Sequence, residues 1–142
     1  MTAEEERAKR EEEQRQTKIR QRKGQITTEI NRTRSEINKL NAKIRQYETM
    51  EYKIKVAVGQ LKEAKRNITK SNNELKSAYS SKIANQKSQN IQTSGQQTEK
   101  MISDLNNNIL PQIKNKINNL KQNISAKYNH INNLQNEYNS LW

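Results

Sequence analysis

The residues able to do chemistry are few and scattered. His130 is the single histidine, cysteine is absent, and the three glycines (24, 59 and 95) stand alone. One imidazole permits no His-based metal cluster. The absence of cysteine removes disulfides, thiol chemistry and Cys-based metal sites together. Isolated glycines form neither GxxxxGK[ST] nor GxGxxG, so no phosphate-cradling loop is expected. Carboxylates recur at Glu48 and Glu51 and at Glu99 and Asp104, but acid–base work needs a dry concave pocket to tune them. The expectation is a non-enzyme with no cofactor and no bound metal.

Charge is the second chemical resource. Against 15 Asp and Glu stand 27 Lys and Arg, a net of +12. Residues 1–24 carry +2, residues 25–83 carry +7 and residues 84–142 carry +3. The central basic side chains include Lys39, Lys43, Lys53, Lys55, Lys62, Arg66 and Lys70. A phosphate-binding stripe would use such residues. They are interspersed with other types, however, and no stacking aromatics accompany them. A solvated basic face, or a partner with an acidic groove, accounts for the same charge.

These side chains need elements to hold them. Only 30% of the chain is hydrophobic, with no Phe, one Pro and three Gly. Sheets, sandwiches and thick globular cores need more apolar residues and more turns than this. Apolar spacing then separates helix from disorder. From Ile26 the series Ile30, Thr33, Ile37, Leu40, Ile44, Tyr47, Glu51, Ile54, Val58, Leu61, Lys65, Ile68, Asn72, Leu75, Tyr79 alternates steps of four and three. With Ile30 as position a of a heptad, Ile37, Ile44, Glu51, Val58, Lys65, Asn72 and Tyr79 also fall at a and the intervening residues of the series at d, and the pattern is a coiled-coil seam. Thr33, Glu51, Lys65 and Asn72 interrupt it, either setting register or carrying long side chains outward.

A second seam runs through Ile113, Ile117, Leu120, Ile124, Lys127, Ile131, Leu134, Tyr138 and Leu141. Ile102, Leu105 and Ile109 lie on a neighbouring stripe, and the four-plus-four step through Ile109, Ile113 and Ile117 reads as a stutter. Pro111 within it predicts a kink. Between the seams, residues 85–98 hold Gly95, a Ser/Asn/Gln bias and one large apolar side chain, Ile91, which marks a connection. The expected fold is all-α: an elongated antiparallel helical hairpin of residues 25–142. It comprises a helix over 26–84, a connection over 85–98 and a helix over 99–141 kinked near Pro111. In that arrangement Leu141 comes level with Ile37 to Leu40.

Residues 1–24 are a charged extension, helical or disordered. Glu5–Lys9, Glu6–Arg10 and Glu11–Arg15 are acid-before-base pairs four residues apart, each stabilising a solvated helix by ~0.2–0.5 kcal/mol. The opening MTAEEERAKREEE has no apolar core of the kind a secretory signal contains. No stretch reaches the ~18 apolar residues of a membrane span. A soluble, cytoplasmically made protein is expected.

A long heptad helix, a polar break and a second helix of the form LPQIKNKINNLKQNI together resemble the small helical-hairpin proteins that accompany LXG toxins of type VII secretion, distant relatives of the WXG family. The likeness covers roughly residues 26 to 141 and is architectural. It implies an accessory or targeting chaperone that packs against the helical N-terminal domain of a toxin, in the cytoplasm or exported with it. The partner would be such a toxin or a paralogous small helical protein. The family's aromatic-x-x-x-acid export signal is matched by Tyr47 and Glu51, whereas Trp-x-Gly is absent and Tyr79-Ser80-Ser81 stands near the break. For partner docking the seam edges Ile44, Tyr47, Ile54, Leu61, Ile117, Ile124 and Ile131 are the expected residues. Two other readings stand beside this one. One is a basic nucleic-acid-binding coiled coil acting through Lys53, Lys62 and Arg66. The other is a homo-oligomer joined through the same seams.

Overall fold

Periodic apolar residues on otherwise polar segments leave the backbone one way to pair its own polar groups and bury a stripe, which is the α-helix. The computed structural model describes residues 2–78 and 81–141, with the side chains of 78 and 81–84 set aside. Helix α1 spans Ala3–Ala78 and helix α2 spans Ser81–Asp104; a π-turn, Leu105–Ile109, leads into helix α3, Leu110–Ser140. No strand occurs among the described residues. The fold is an all-α helical hairpin, and no described helix is long and apolar enough to cross a membrane.

Thr2 starts α1. Its backbone N–H donates to Glu5 Oε2 at 2.9 Å while the Glu5 N–H donates to Thr2 Oγ1 at 3.2 Å. That reciprocal pair satisfies two donors the helix cannot satisfy itself. The helix then continues through Gly24 with no break, so the charged extension and the first seam are one element.

Residues 85–98 are a correction. They are helical throughout, inside α2, and the expected connection is not there. The reason is that the seam continues through them in small residues. Ser88, Ile91, Gly95, Thr98 and Ile102 keep the three–four spacing, and Ser88 is buried. Gly95 lies against α1, where an added Cβ would sit 3.8 Å from Ile68 Cγ2. Small, polar residues have the composition of a turn but here keep the period of the seam. The Arg22–Glu137 and His130–Glu29 pairs set the register, so Leu141 joins the cluster that holds Ile26 and comes level with α1 before that residue, not beside Ile37 to Leu40. Tyr79 and Ser80 lie outside the described residues.

At Pro111, where a kink is expected, a π-turn stands between α2 and α3. The Leu110 N–H donates to the Leu105 carbonyl, five residues back. The seam steps from Leu105 to Leu110 and then to Ile113, so one extra residue is absorbed in a widened turn. Leu110 is consequently buried, 8% exposed, while Ile109 is turned out at 41%. Pro111 sits one residue later. In a regular helix its ring would crowd the carbonyl four residues before it, and the π-turn opens the backbone at that point.

The chain divides into two compact units, one of residues 1–44 with 119–142 and one of residues 45–118. The core of the first is Ile26, Ile30, Ile37, Ile131 and Leu134, with Ile124 and Leu141 packed on it. Its polar seam residue, Thr33, donates its hydroxyl to the Glu29 carbonyl at 2.8 Å, so its burial leaves no orphan donor. In the second unit Ile102, Leu110, Ile113, Ile117 and Val58 are buried. There the seam also encloses Asn72 Oδ1, which accepts no hydrogen bond among the described residues.

Candidate docking face

A two-helix seam closed on itself leaves two flanks, and in an antiparallel pair the residues preceding each a position share one of them. In the first unit this flank is ionic. Arg22 makes a two-pronged pair with Glu137 at 2.6 and 2.7 Å, His130 Nε2 meets Glu29 at 2.9 Å, and seam residue Lys127 reaches Glu36 at 2.7 Å. His130 thus faces the carboxylate of Glu29. Lys23 lies over the Tyr138 ring at 5.1 Å, within cation–π range.

These pairs move the carboxylates in a defined direction. Hydrogen bonding from Lys127 holds Glu36 below the usual carboxylate range, and Arg22 does the same to Glu137. Glu12, bonded to Arg15 and then Gln16 on its own helix, falls to about 2. A depressed folded-state pKa contributes stability above the ordinary carboxylate value and loses it as pH falls through the folded value. The melting temperature is therefore expected to be level from neutral pH to about 5.5 and to fall below about 4.5. A Glu36→Gln, Glu137→Gln double variant should start lower and show a shallower fall in thermal melts followed by circular dichroism. An equally steep fall would place the acid sensitivity elsewhere.

In the second unit the corresponding flank is uncharged only between Lys87 and Lys116, which precede Ser88 and Ile117. On α1 it comprises Met50, Ala57, Ala64 and Ser71; opposite them are Ser94, Met101 and Ile109. Met50 is 47% and Met101 53% exposed. Toward one end the flank deepens into an open groove of about 320 Å³ lined by Asn67, Ile68, Ser71, Asn90, Ile91 and Ser94. The other flank of this unit is charged, with Glu48, Lys55 and Lys62 on α1 and Glu99 on α2, which pairs with Lys65. A stretch of flank free of charge between two lysines, with methionines and small residues around a groove, suits a third helix: Met adapts its shape and Ala or Ser permits close approach.

The seam residues proposed from spacing lie elsewhere. Ile44, Ile117 and Ile131 are buried, and Tyr47, Ile54, Leu61 and Ile124 are half-buried. The chain itself closes the seam they belong to. Tyr47 and Glu51 sit within α1, and Glu51 pairs with Lys55 at 3.1 Å. Met50, Met101 and Ile109 lie off the seam and so are not marked by its spacing. Their signal was nonetheless present, as apolar residues each one place before an a position, once the extra residue before Leu110 is counted. Lys53, Lys62 and Arg66 fall on three different lines of α1 and make no single phosphate stripe. No group of three or more His, Cys, Asp or Glu suited to a metal ion occurs among the described residues. Comparison with protein-family models, with curated proteins and with solved structures finds no match for this chain.

Proposed function

We propose that the protein is a non-enzymatic binding partner for a helical protein, acting as an accessory or targeting chaperone. The observation that carries this reading is the uncharged stretch of flank between Lys87 and Lys116 in residues 45–118, where Met50, Met101 and Ile109 are exposed beside a groove. A partner helix laid along it would bury these side chains while the rest of the unit keeps its charge in water. The likeness of residues 26 to 141 to the hairpin accessories of type VII secretion supports the helical N-terminal domain of an LXG toxin as the occupant. Tyr47 and Glu51 would then serve as the aromatic-acid element read by the export machinery.

Co-expression with such a toxin domain tests this directly. The wild-type chain should co-purify with it. The Met50→Glu, Met101→Glu, Ile109→Glu variant should bind at least about tenfold more weakly, equal to 1.4 kcal/mol, with unchanged helicity. Full binding by the variant would remove the flank from the interface. Failure of the wild-type chain to bind any LXG domain would remove the toxin as partner.

A further inference from the structure

We infer that residues 4–23 of α1 pair antiparallel with the same segment of a second copy of this chain. Among the described residues, every hydrogen bond and ion pair of the side chains from Thr2 to Lys18 closes within α1 itself. Residues 2–15 are exposed all round, and half-burial begins only at Gln16 and Ile19. Residues 2–15 therefore offer a complete surface to another molecule, and beyond them Thr17, Lys18, Arg20 and Gln21 keep an exposed outer face while Arg22 and Lys23 are held by Glu137 and Tyr138.

Its charge says which molecule fits. Residues 4–13 contain six Glu against Arg7, Lys9 and Arg10, a net of −3; residues 14–23 contain Arg15, Lys18, Arg20, Arg22 and Lys23 and no acid, a net of +5. The pairs Arg7–Glu11, Arg10–Glu6 and Arg15–Glu12 are satisfied along the helix. Glu4 and Glu13 in the first half, and Lys18 and Arg20 in the second, keep no ionic partner among the described residues. A parallel copy would set acid on acid and base on base. An antiparallel copy sets each acidic half on a basic half, and the pairing is its own complement under a two-fold axis. The surface is independent of the uncharged flank on residues 45–118.

Sedimentation of the full-length chain provides the test. The wild-type chain should dimerise at about 0.01 M salt, where the Debye length is about 30 Å, and revert to monomer near 1 M. Glu4→Lys, Glu6→Lys, Glu13→Lys should be monomeric, as should Arg15→Glu, Lys18→Glu, Arg20→Glu. An equimolar mixture of the two should dimerise, because each reversed half meets a complementary one. Since the chain has no cysteine, Gln14→Cys at the centre should form a covalent dimer under mild oxidation while Ala3→Cys does not. A monomeric wild-type chain at low salt, failure of the mixture to associate, or equal cross-linking at position 3 would each overturn the pairing.

Discussion

Ile26→Ala is expected to destabilise the hairpin by about 2–5 kcal/mol, a large share of what a chain this size has available. Ile26 has 0% exposure and is the largest fully buried side chain described. It packs with Ile30, Ile37, Ile131 and Leu134. Truncation removes three carbons from contact with both helices, and a thin two-helix core has no third layer that could move in to fill the space. The matched control is Ile109→Ala, the same chemical change at a side chain that is 41% exposed. It should cost under about 0.5 kcal/mol. Urea unfolding followed at 222 nm checks both, with the midpoint shifting and the slope preserved. Equal losses at the two positions would mean that the first-unit core contributes nothing beyond helix propensity.

Deleting Asn107 is expected to cost about 3 kcal/mol, and adding Pro111→Ala to the deletion should recover most of it. The deletion shortens the step from Leu105 to Leu110 from five residues to four. It therefore restores the three–four seam and turns the π-turn into an ordinary helical turn. The remaining obstacle is Pro111, whose ring then meets a carbonyl in regular α geometry with no widened turn to relieve it. Alanine removes the ring and supplies an N–H. The two changes are coupled through one stretch of backbone, so their effects should be strongly non-additive. Thermal melts of the deletion, of Pro111→Ala and of the combination complete the cycle. Additive effects would show that the π-turn and the proline are unrelated.

Much of the architecture is legible in the order of residues because a heptad seam is a local, repeated signal. Ile26, Ile30, Ile37 and Ile44 announce their burial through spacing alone, and all four are buried. The signal failed where apolar types gave way to small polar ones. Ser88, Gly95 and Thr98 occupy seam positions but look like a turn, and the expected connection over 85–98 followed from that. It failed again at Leu105 to Leu110, where two near-equivalent apolar stripes, through Ile109 or through Leu110, differ by a single residue. Which stripe turns inward depends on whether the helix absorbs the extra residue, a choice governed by the facing helix and by Pro111 together.

By itself the sequence determined the class of fold, the two seams and the charged extension, because each depends on residue type and short-range period. Tertiary structure decided which apolar residues remain outside. In a two-helix pair the a and d residues of each helix are consumed by the other, so a docking face must come from the flanks. Flank character emerges only when two distant stretches are set side by side: Met50 and Ala57 acquire meaning from Met101 and Ile109 opposite, as Arg22 does from Glu137. The +12 of the chain is spread over several faces and leaves the flank of residues 45–118 uncharged between Lys87 and Lys116. That separation arises from register between helices, which no single stretch of sequence contains.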